Sequence, residues 1–384
     1  MSFSTLGLST ELIKVLTEQN YTEPYPIQSA VIPAVLKGKD ILAIAQTGSG
    51  KTAAFVLPIL EKLQGQAPLE NRFIKVLVLV PTRELAIQVN EVFALLGSRQ
   101  MVRLKTMAVY GGVSINPQMK NLMGVEILVA TPGRLLDLVA SKVVHISEVK
   151  ILVLDEADKM LNLGFKEEMT KIFEMLPLKR QNLLFSATLG KDIESINEFL
   201  LRDPVKITAE EEEGKNLNLI SQIAYKVSEE KKGPLLRYLI NEKKMEQVLV
   251  FTSSVHRADA VVVKLKANGI EAFAIHSKKS QSARNEALRR FKTGKIKVLV
   301  ATDLISRGID IKFLPFVINY ELPRSPKDYI HRIGRTGRAE SAGNAISLIS
   351  PDEEHHFRVI QKKMKKWVDF IDAEGLDLSG ADKS

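Results

Sequence analysis

The chain has 384 residues, 45% hydrophobic and 26% charged, with no cysteine; this excludes a disordered chain, disulfides and thiolate metal sites. Its length exceeds what one core usually serves, so two domains are expected. Its charge of +9 is uneven: residues 1–205 carry 22 Lys+Arg and 21 Asp+Glu, the remainder 32 and 24, so a polyanion, nucleic acid first, stands beside a merely solvated basic surface.

In chain order, the start "MSFSTLGLSTEL" has neither a basic leader segment nor an apolar run, so no signal peptide is expected. The apolar runs that follow are strand length, too short to span a membrane. Strands are predicted at 41–45, 76–80, 106–110, 126–130, 151–155 and 182–188, several apolar on both faces as in a helix-covered parallel sheet. Between the first strand and a helical run stands "AQTGSGKT", Ala45, Gln46, Thr47, Gly48, Ser49, Gly50, Lys51 and Thr52. Its glycines let backbone N–H groups approach phosphate at a helix N-terminus, Lys51 can reach the outer phosphates, and the Thr52 hydroxyl can ligate Mg2+. The strand 151–155 runs into "DEAD", whose clustered acids call for a cation. Asp155 is placed to hold Mg2+ and Glu156 to orient or deprotonate water, against the plainer reading of a charged helix cap. Together the two segments predict a nucleoside triphosphatase.

The alternation stops at residues 209–219, polar and acidic, which read as a linker. It resumes with strands at 247–252, 271–276, 297–302, 316–322 and 344–349, giving an α/β fold of two tandem doubly wound parallel-sheet domains. The expected divisions are 1–208, linker 209–219, 220–350 and 351–384. In the last segment Ser350, Pro351 and Glu353 form a capping-box start, and Phe357, Ile360, Met364, Trp367 and Ile371 mark one apolar face of a helix. Lys362, Lys363, Lys365 and Lys366 lie on its other face, read first as solvated and second as an RNA contact. The tail "EGLDLSGADKS" is expected to be disordered.

The motifs, in this order across nearly the whole chain, resemble those of the DEAD-box ATP-dependent RNA helicases. "NYTEPYPIQ" is similar to the family's adenine-reading segment, with Tyr21 as stacking ring, Gln28 as reader and Phe3 at the upstream aromatic position. A carboxamide suits adenine because one amide can pair with both N6 and N7. "PTRELA" (Thr82, Arg83), "GG" (Gly112) and "TPGR" (Thr131, Gly133, Arg134) look like RNA-backbone contacts; without the motif context each also reads as an ordinary N-cap. "SAT" (Ser186, Thr188), with Asp158, resembles the element that couples hydrolysis to unwinding. In the second half Gln281, Arg284 and Thr302 match further RNA contacts, and Gly308 and Asp310 a nucleotide contact, with Asp310 on a ribose hydroxyl. In "HRIGRTGR", Arg335 and Arg338 match positions that reach the γ-phosphate, while His331 and Arg332 look like links to neighbouring motifs.

The resemblance implies two RecA-like domains, the first binding ATP and Mg2+, the second supplying arginine fingers. It also implies RNA held by its backbone with little sequence specificity, a monomer, no membrane and a cytoplasmic site of action. Within the family, "GGVSINPQM" and "QNLLFSAT" look most like the bacterial RhlE type. The chain departs from the usual pattern at Asn20, Ser277 and Glu340, each replacing a usual glycine. Three other readings stay open: an RNA clamp or remodeller with little unwinding, a DNA helicase, and a P-loop small-molecule kinase. His276 has no metal-ligand spacing and reads as a packed, hydrogen-bonded side chain.

Overall fold

A computed structural model describes residues 2–45, 49–65, 71–99, 104–208, 220–302, 314–336, 343–376 and 378. The chain divides into two compact units, Met1–Glu211 and Glu212–Ser384.

In the first unit β1(Ile41–Ile44), β2(Val76–Leu79), β3(Thr106–Val109), β4(Ile127–Ala130), β5(Ile151–Leu154), β6(Gln181–Ser186) and β7(Val205–Thr208) form one sheet of order β3-β4-β2-β5-β6-β1-β7. Every pairing is parallel. Alternate side chains leave a strand on opposite faces. Ile41, Ala43, Val76 and Val78 therefore enter one core, and Leu42, Leu77 and Leu79 the other. Both faces are apolar because helices cover both: α1(Thr10–Glu18), α2(Pro26–Leu36), α3(Lys51–Leu63), α4(Arg83–Leu96), α5(Asn116–Lys120), α6(Pro132–Ala140), α7(Ala157–Asn162), α8(Lys166–Met175) and α9(Lys191–Leu200). Local chemistry starts them: Pro26 and Pro132 stand in first turns, where no N–H is missed, and Thr82 Oγ1 accepts from Leu85 N–H at 3.3 Å to cap α4.

The second unit repeats the plan. Strands β8(Ile220–Lys226), β9(Val248–Thr252), β10(Ala272–Ile275), β11(Val298–Thr302), β12(Phe316–Asn319), β13(Gly343–Ile349) and β14(Phe370–Asp372) pair in parallel in the order β10-β11-β9-β12-β13-β8-β14. Helices α10(Lys232–Glu242), α11(Val255–Ala267), α12(Gln281–Lys292), α13(Pro326–Ile333) and α14(Glu354–Met364) pack with them. Each predicted strand is present to within two or three residues at its ends. Strands β7, β8 and β14 were not predicted, and the sheets have seven strands apiece.

The C-terminal segment differs from the sequence reading. Its capping box is formed, with Glu353 Oε2 accepting from Ser350 N–H at 3.1 Å, but the first turn is a 3-10 turn and α14 ends at Met364. Lys365 takes a left-handed conformation (φ 54°), which breaks the helical spacing. Phe357, Ile360 and Met364 are buried, whereas Trp367 stands in solvent and Ile371 lies on β14. Leu376 and Leu378 pack on the second unit's core, so that part of the expected disordered tail is ordered; residues 379–384 lie outside the described residues. The predicted linker, residues 209–219, also lies outside them.

Candidate nucleotide and nucleic-acid site

In an open parallel sheet, ligands bind beyond the carboxyl ends of the strands. Three neighbouring strands of the first unit, β5, β6 and β1, deliver Lys51, Asp155 and Glu156 of the predicted catalytic groups there, with Asp158, Ser186 and Thr188. After β1, Gly50 (φ 87°) caps α3; a methyl group on it would stand 2.5 Å from Gln28 Nε2 and 2.9 Å from Tyr25 Cδ2, so only glycine fits. Lys51 opens α3, nearly buried, and its Nζ donates to the Ala45 carbonyl at 2.7 Å. Ser49 is buried and Thr52 half-buried beside it; Gln46, Thr47 and Gly48 lie outside the described residues.

Beyond β5, Asp155 is 3% exposed and Glu156 is buried, held in a left-handed conformation (φ 54°). A non-glycine residue in that region costs of order 1–3 kcal/mol, a strain that proteins retain where it aims a side chain. Glu156 Oε1 pairs with Lys159 Nζ at 2.6 Å. Asp155 Oδ1 and Glu156 Oε2 are buried with no hydrogen-bond partner among the described residues. Burial pushes the Asp155 carboxyl up to about 6; Lys51 and Lys159 pull it down and Glu156 pushes it up, and burial prevails. Two orphaned, buried carboxylate oxygens are the donor chemistry that a hard cation such as Mg2+ takes.

Strand β6 ends at Ser186. Its Oγ donates to the Thr188 carbonyl at 2.7 Å and accepts from Thr188 N–H at 3.2 Å, while Thr188 Oγ1 donates to Asp158 Oδ2 at 3.0 Å. The acidic motif and the Ser-Ala-Thr motif are thus joined directly. On the other side of the phosphate loop, Gln28 is 1% exposed. Its Oε1 accepts from Tyr25 N–H at 2.9 Å and its Nε2 donates to the Gly50 carbonyl at 3.1 Å. Among the described residues one amide proton and one lone pair are left over, the pair that an adenine edge requires. Phe3 meets Tyr21 edge to face, with ring centroids 6.4 Å apart.

The predicted RNA contacts of this unit follow β2, β3 and β4, which are also adjacent. Arg83 lies over Gly112 (φ 76°), where a side chain would stand 2.7 Å from Nη1. Thr131 Oγ1 accepts from Gly111 N–H at 3.4 Å, and Arg134 Nη2 donates to the Val113 carbonyl at 2.8 Å. Arg134 is 8% exposed and ion-paired to Asp137 at 3.4 Å, while its Nη1 and Nε are buried with no hydrogen-bond partner among the described residues. A methyl group on Gly133 would meet nothing within 4 Å among the described residues. Sequence reasoning missed Gln118. Its Oε1 accepts from Tyr110 N–H at 3.0 Å and its Nε2 donates to Tyr110 O at 3.2 Å, clamping the residue before Gly111. A glutamine in a five-residue helix gives no sign of this.

In the second unit Gln281 opens α12 behind the cap Ser280, Arg284 is buried one turn on, and Thr302 closes β11. Arg332 is 2% exposed; its Nη1 donates to Asn319 Oδ1 at 3.1 Å and to the Glu321 carbonyl at 2.6 Å, and its guanidinium lies over the Phe251 ring at 5.0 Å. His331 is half-buried on the same helix. Arg335 follows the helix end, half-exposed, its carbonyl accepting from Leu314 N–H at 3.2 Å. Gly308, Asp310 and Arg338 lie outside the described residues. His276 is buried, its Nε2 3.1 Å from Asp259 Oδ1. No group of three or more candidate metal ligands occurs among the described residues, and no helix among them is long and apolar enough to cross a membrane.

Two family models match: DEAD/DEAH box helicase over residues 25–196 and helicase conserved C-terminal domain over 230–340. The ATP-dependent RNA helicase CshA of Listeria monocytogenes is 41% identical over 365 residues, covering 95% of this chain and 69% of that one. The DEAD-box ATP-dependent RNA helicase CshA of Bacillus subtilis is 40% identical over 380 residues, covering 98% and 75%. Among solved structures, S. cerevisiae Dbp5 bound to RNA and ADP BeF3 matches with a TM-score of 0.84 at 29% identity over the whole of both chains. A DEAD box protein from Methanococcus jannaschii matches with a TM-score of 0.55 at 39% identity, over 97% of this chain and 99% of that one.

Proposed function

The chain belongs to the DEAD-box helicases and is an ATP-dependent RNA helicase, and we propose the following division of its work among residues. Residues 1–208 bind ATP, 209–219 link, 220–350 complete the enzyme, and 351–384 close the second unit. Gln28 reads adenine with its free amide proton and lone pair, with Tyr21 and Phe3 as the aromatic side. The residues 45–52 hold the phosphates, with Lys51 on the outer ones. Thr52 and Asp155 would hold Mg2+, which neutralises phosphate charge when bound. Glu156 orients a water and takes its proton as the water oxygen bonds to the γ-phosphorus; the bond to the β-phosphate oxygen breaks, and ADP and phosphate leave. Arg335 and Arg338 are assigned to the γ-phosphate and Gly308 and Asp310 to the nucleotide.

RNA backbone is assigned to Thr82, Arg83, Gly112, Thr131, Gly133, Gln281, Arg284 and Thr302. Arg134 is assigned to RNA as well, with Nη2 holding the glycine loop and Nη1 without a hydrogen-bond partner among the described residues, and Asp158, Ser186, Thr188 and His331 relay the state of the ATP site. The RhlE subtype rests on two segments, "GGVSINPQM" and "QNLLFSAT", whereas the relatives above carry the name CshA. A monomer acting in the cytoplasm completes the reading. The observation that carries it is the meeting of Lys51, the orphaned oxygens of Asp155 and Glu156, and the Asp158–Thr188 bond at the ends of three adjacent strands. Steady-state ATP hydrolysis with RNA, with DNA of the same sequence and without polymer tests it. RNA should stimulate the wild type, and Arg335→Ala should lose on the order of 10³-fold or more of the stimulated rate. Equal rates with and without RNA overturn the helicase reading, and wild-type turnover by the variant removes Arg335 from its role.

A further inference from the structure

The second unit carries an aromatic side chain that its fold has no use for. Trp367, the chain's only tryptophan, is 74% exposed. Tryptophan gains more than almost any residue from burial, so leaving most of it in water forgoes stability. The exposure is enforced on both sides. Lys366 N–H donates to the Gln361 carbonyl at 3.3 Å, and Lys366 Nζ donates to the Ile220 carbonyl at 3.1 Å. Val368 is buried, and its N–H donates to Gln361 Oε1 at 2.8 Å. With both neighbours fixed, and the chain turned by Lys365 at φ 54°, the indole is held outward on an ordered backbone.

Its surroundings are basic. Lys362, Lys363 and Lys365 are exposed and form no ion pair among the described residues, and residues 362–368 contain no acid. Asp369, exposed, is the nearest acid in sequence. An exposed π-face next in the chain to exposed ammonium groups is a combination with which proteins hold single-stranded nucleic acid: a base stacks on the ring while the cations meet its phosphates. A protein partner would call for a contiguous apolar patch; here the exposed ring follows Lys362, Lys363, Lys365 and Lys366 and is itself followed by buried Val368.

We infer that Trp367 with Lys362, Lys363 and Lys365 forms an accessory site for single-stranded RNA, separate from the second unit's Gln281 and Arg284. The inference rests on the chain being an RNA helicase. Separation follows from the topology. Gln281 and Arg284 follow the carboxyl end of β10, the first strand of the sheet; Trp367 precedes β14, the last, and so lies at the amino ends. Six interstrand spacings of about 4.8 Å put roughly 29 Å across the sheet between the two edges. The site would hold an unpaired flank of the substrate at the sheet edge opposite Gln281 and Arg284.

The sole tryptophan makes the test direct. Intrinsic fluorescence of the full chain, without nucleotide, should be quenched saturably by a single-stranded RNA oligomer, because a stacked base quenches indole. Anisotropy of labelled RNA should show Trp367→Ala weakening affinity about tenfold and Trp367→Phe restoring most of it. Changing Lys362, Lys363 and Lys365 to Gln should lower the salt slope of binding by about 2. Hydrolysis by Trp367→Ala at saturating RNA should match the wild type. Fluorescence unmoved by RNA that does stimulate hydrolysis overturns the inference, leaves the helicase reading standing, and gives the patch to a protein partner. Hydrolysis indifferent to RNA strikes the helicase reading instead, and quenching then reports the site by itself.

Discussion

Asp155→Asn should stabilise the nucleotide-free protein while disabling it. The wild-type carboxyl moves from an ordinary 3.8 to about 6 because burial outweighs the attraction of Lys51 and Lys159. At ~1.36 kcal/mol per pH unit that rise amounts to about 3 kcal/mol of cost for holding the ionised group. The direction follows from proton counts. Below pH ~3.8 both folded and unfolded states are protonated and no cost exists. Between ~3.8 and 6 the unfolded chain loses its proton first, so folding stability falls as pH rises; above 6 the cost is complete. Asparagine has no charge to desolvate, so its advantage should grow across that window and then stay level. For a unit of this size about 3 kcal/mol corresponds to ~6–12 °C in the unfolding temperature. The assay is thermal unfolding of wild type and variant in chelator, at pH 4 to 8, followed by circular dichroism. Adding Mg2+ and ADP should raise the wild type and leave the variant nearly unmoved, erasing the difference, because a ligand stabilises the state that binds it. A variant that unfolds at or below the wild-type temperature at pH 7.5, or whose advantage is the same at pH 4 and pH 7.5, refutes the reasoning.

Gln28→Ala should cost about a hundredfold or more in preference for ATP over GTP, since a site built to hydrogen-bond a base penalises the wrong one; a wild type that hydrolyses both equally contradicts the assignment. Thr188→Val removes the 3.0 Å hydrogen bond to Asp158, an interaction of about 1.5–3 kcal/mol with a charged acceptor. Unwinding of a short duplex should fall by tenfold or more while RNA-stimulated hydrolysis stays near wild type, and parallel loss of both would deny that this bond carries coupling.

Most of the fold was legible because central strands of a covered parallel sheet must be apolar on both faces, and "VLVLV" or "ILVLD" has no other use. The strands that escaped notice lack that constraint. On β7 every residue is at least partly exposed, and it pairs only with β1. Strand β8 is interior, yet Gln222 interrupts it; that amide accepts from Tyr329 Oη at 3.4 Å, a partner a hundred residues away. Strand β14 has three residues and takes its register from β8. The overrun of α14 has a different cause. Apolar spacing continues to Trp367 and Ile371, but the stop at Lys365 uses a lysine where glycine is the usual signal, so nothing in the sequence marks it.

The site divides along a line that spacing cannot draw. Arg332 and Arg335 stand three apart in one motif, yet α13 ends between them at Ile333. Arg332 therefore belongs to the helix and is spent on Asn319, the Glu321 carbonyl and the Phe251 ring. Arg335 belongs to the turn and keeps a partly exposed side chain. Arg134 stands between the two: its Nη2 donates to the Val113 carbonyl, while its buried Nη1 and Nε have no hydrogen-bond partner among the described residues. A buried arginine whose donors meet carbonyls of its own chain can fix a loop but cannot move toward a phosphate without leaving those carbonyls unpaired. Buried carboxylates with orphaned oxygens are in the opposite state: Asp155 and Glu156 already bear the cost of desolvation, and a ligand that supplies charge removes it. Motif matching assigns both kinds of residue to one site. Their hydrogen-bond ledgers separate the groups that hold it from the groups that await a ligand.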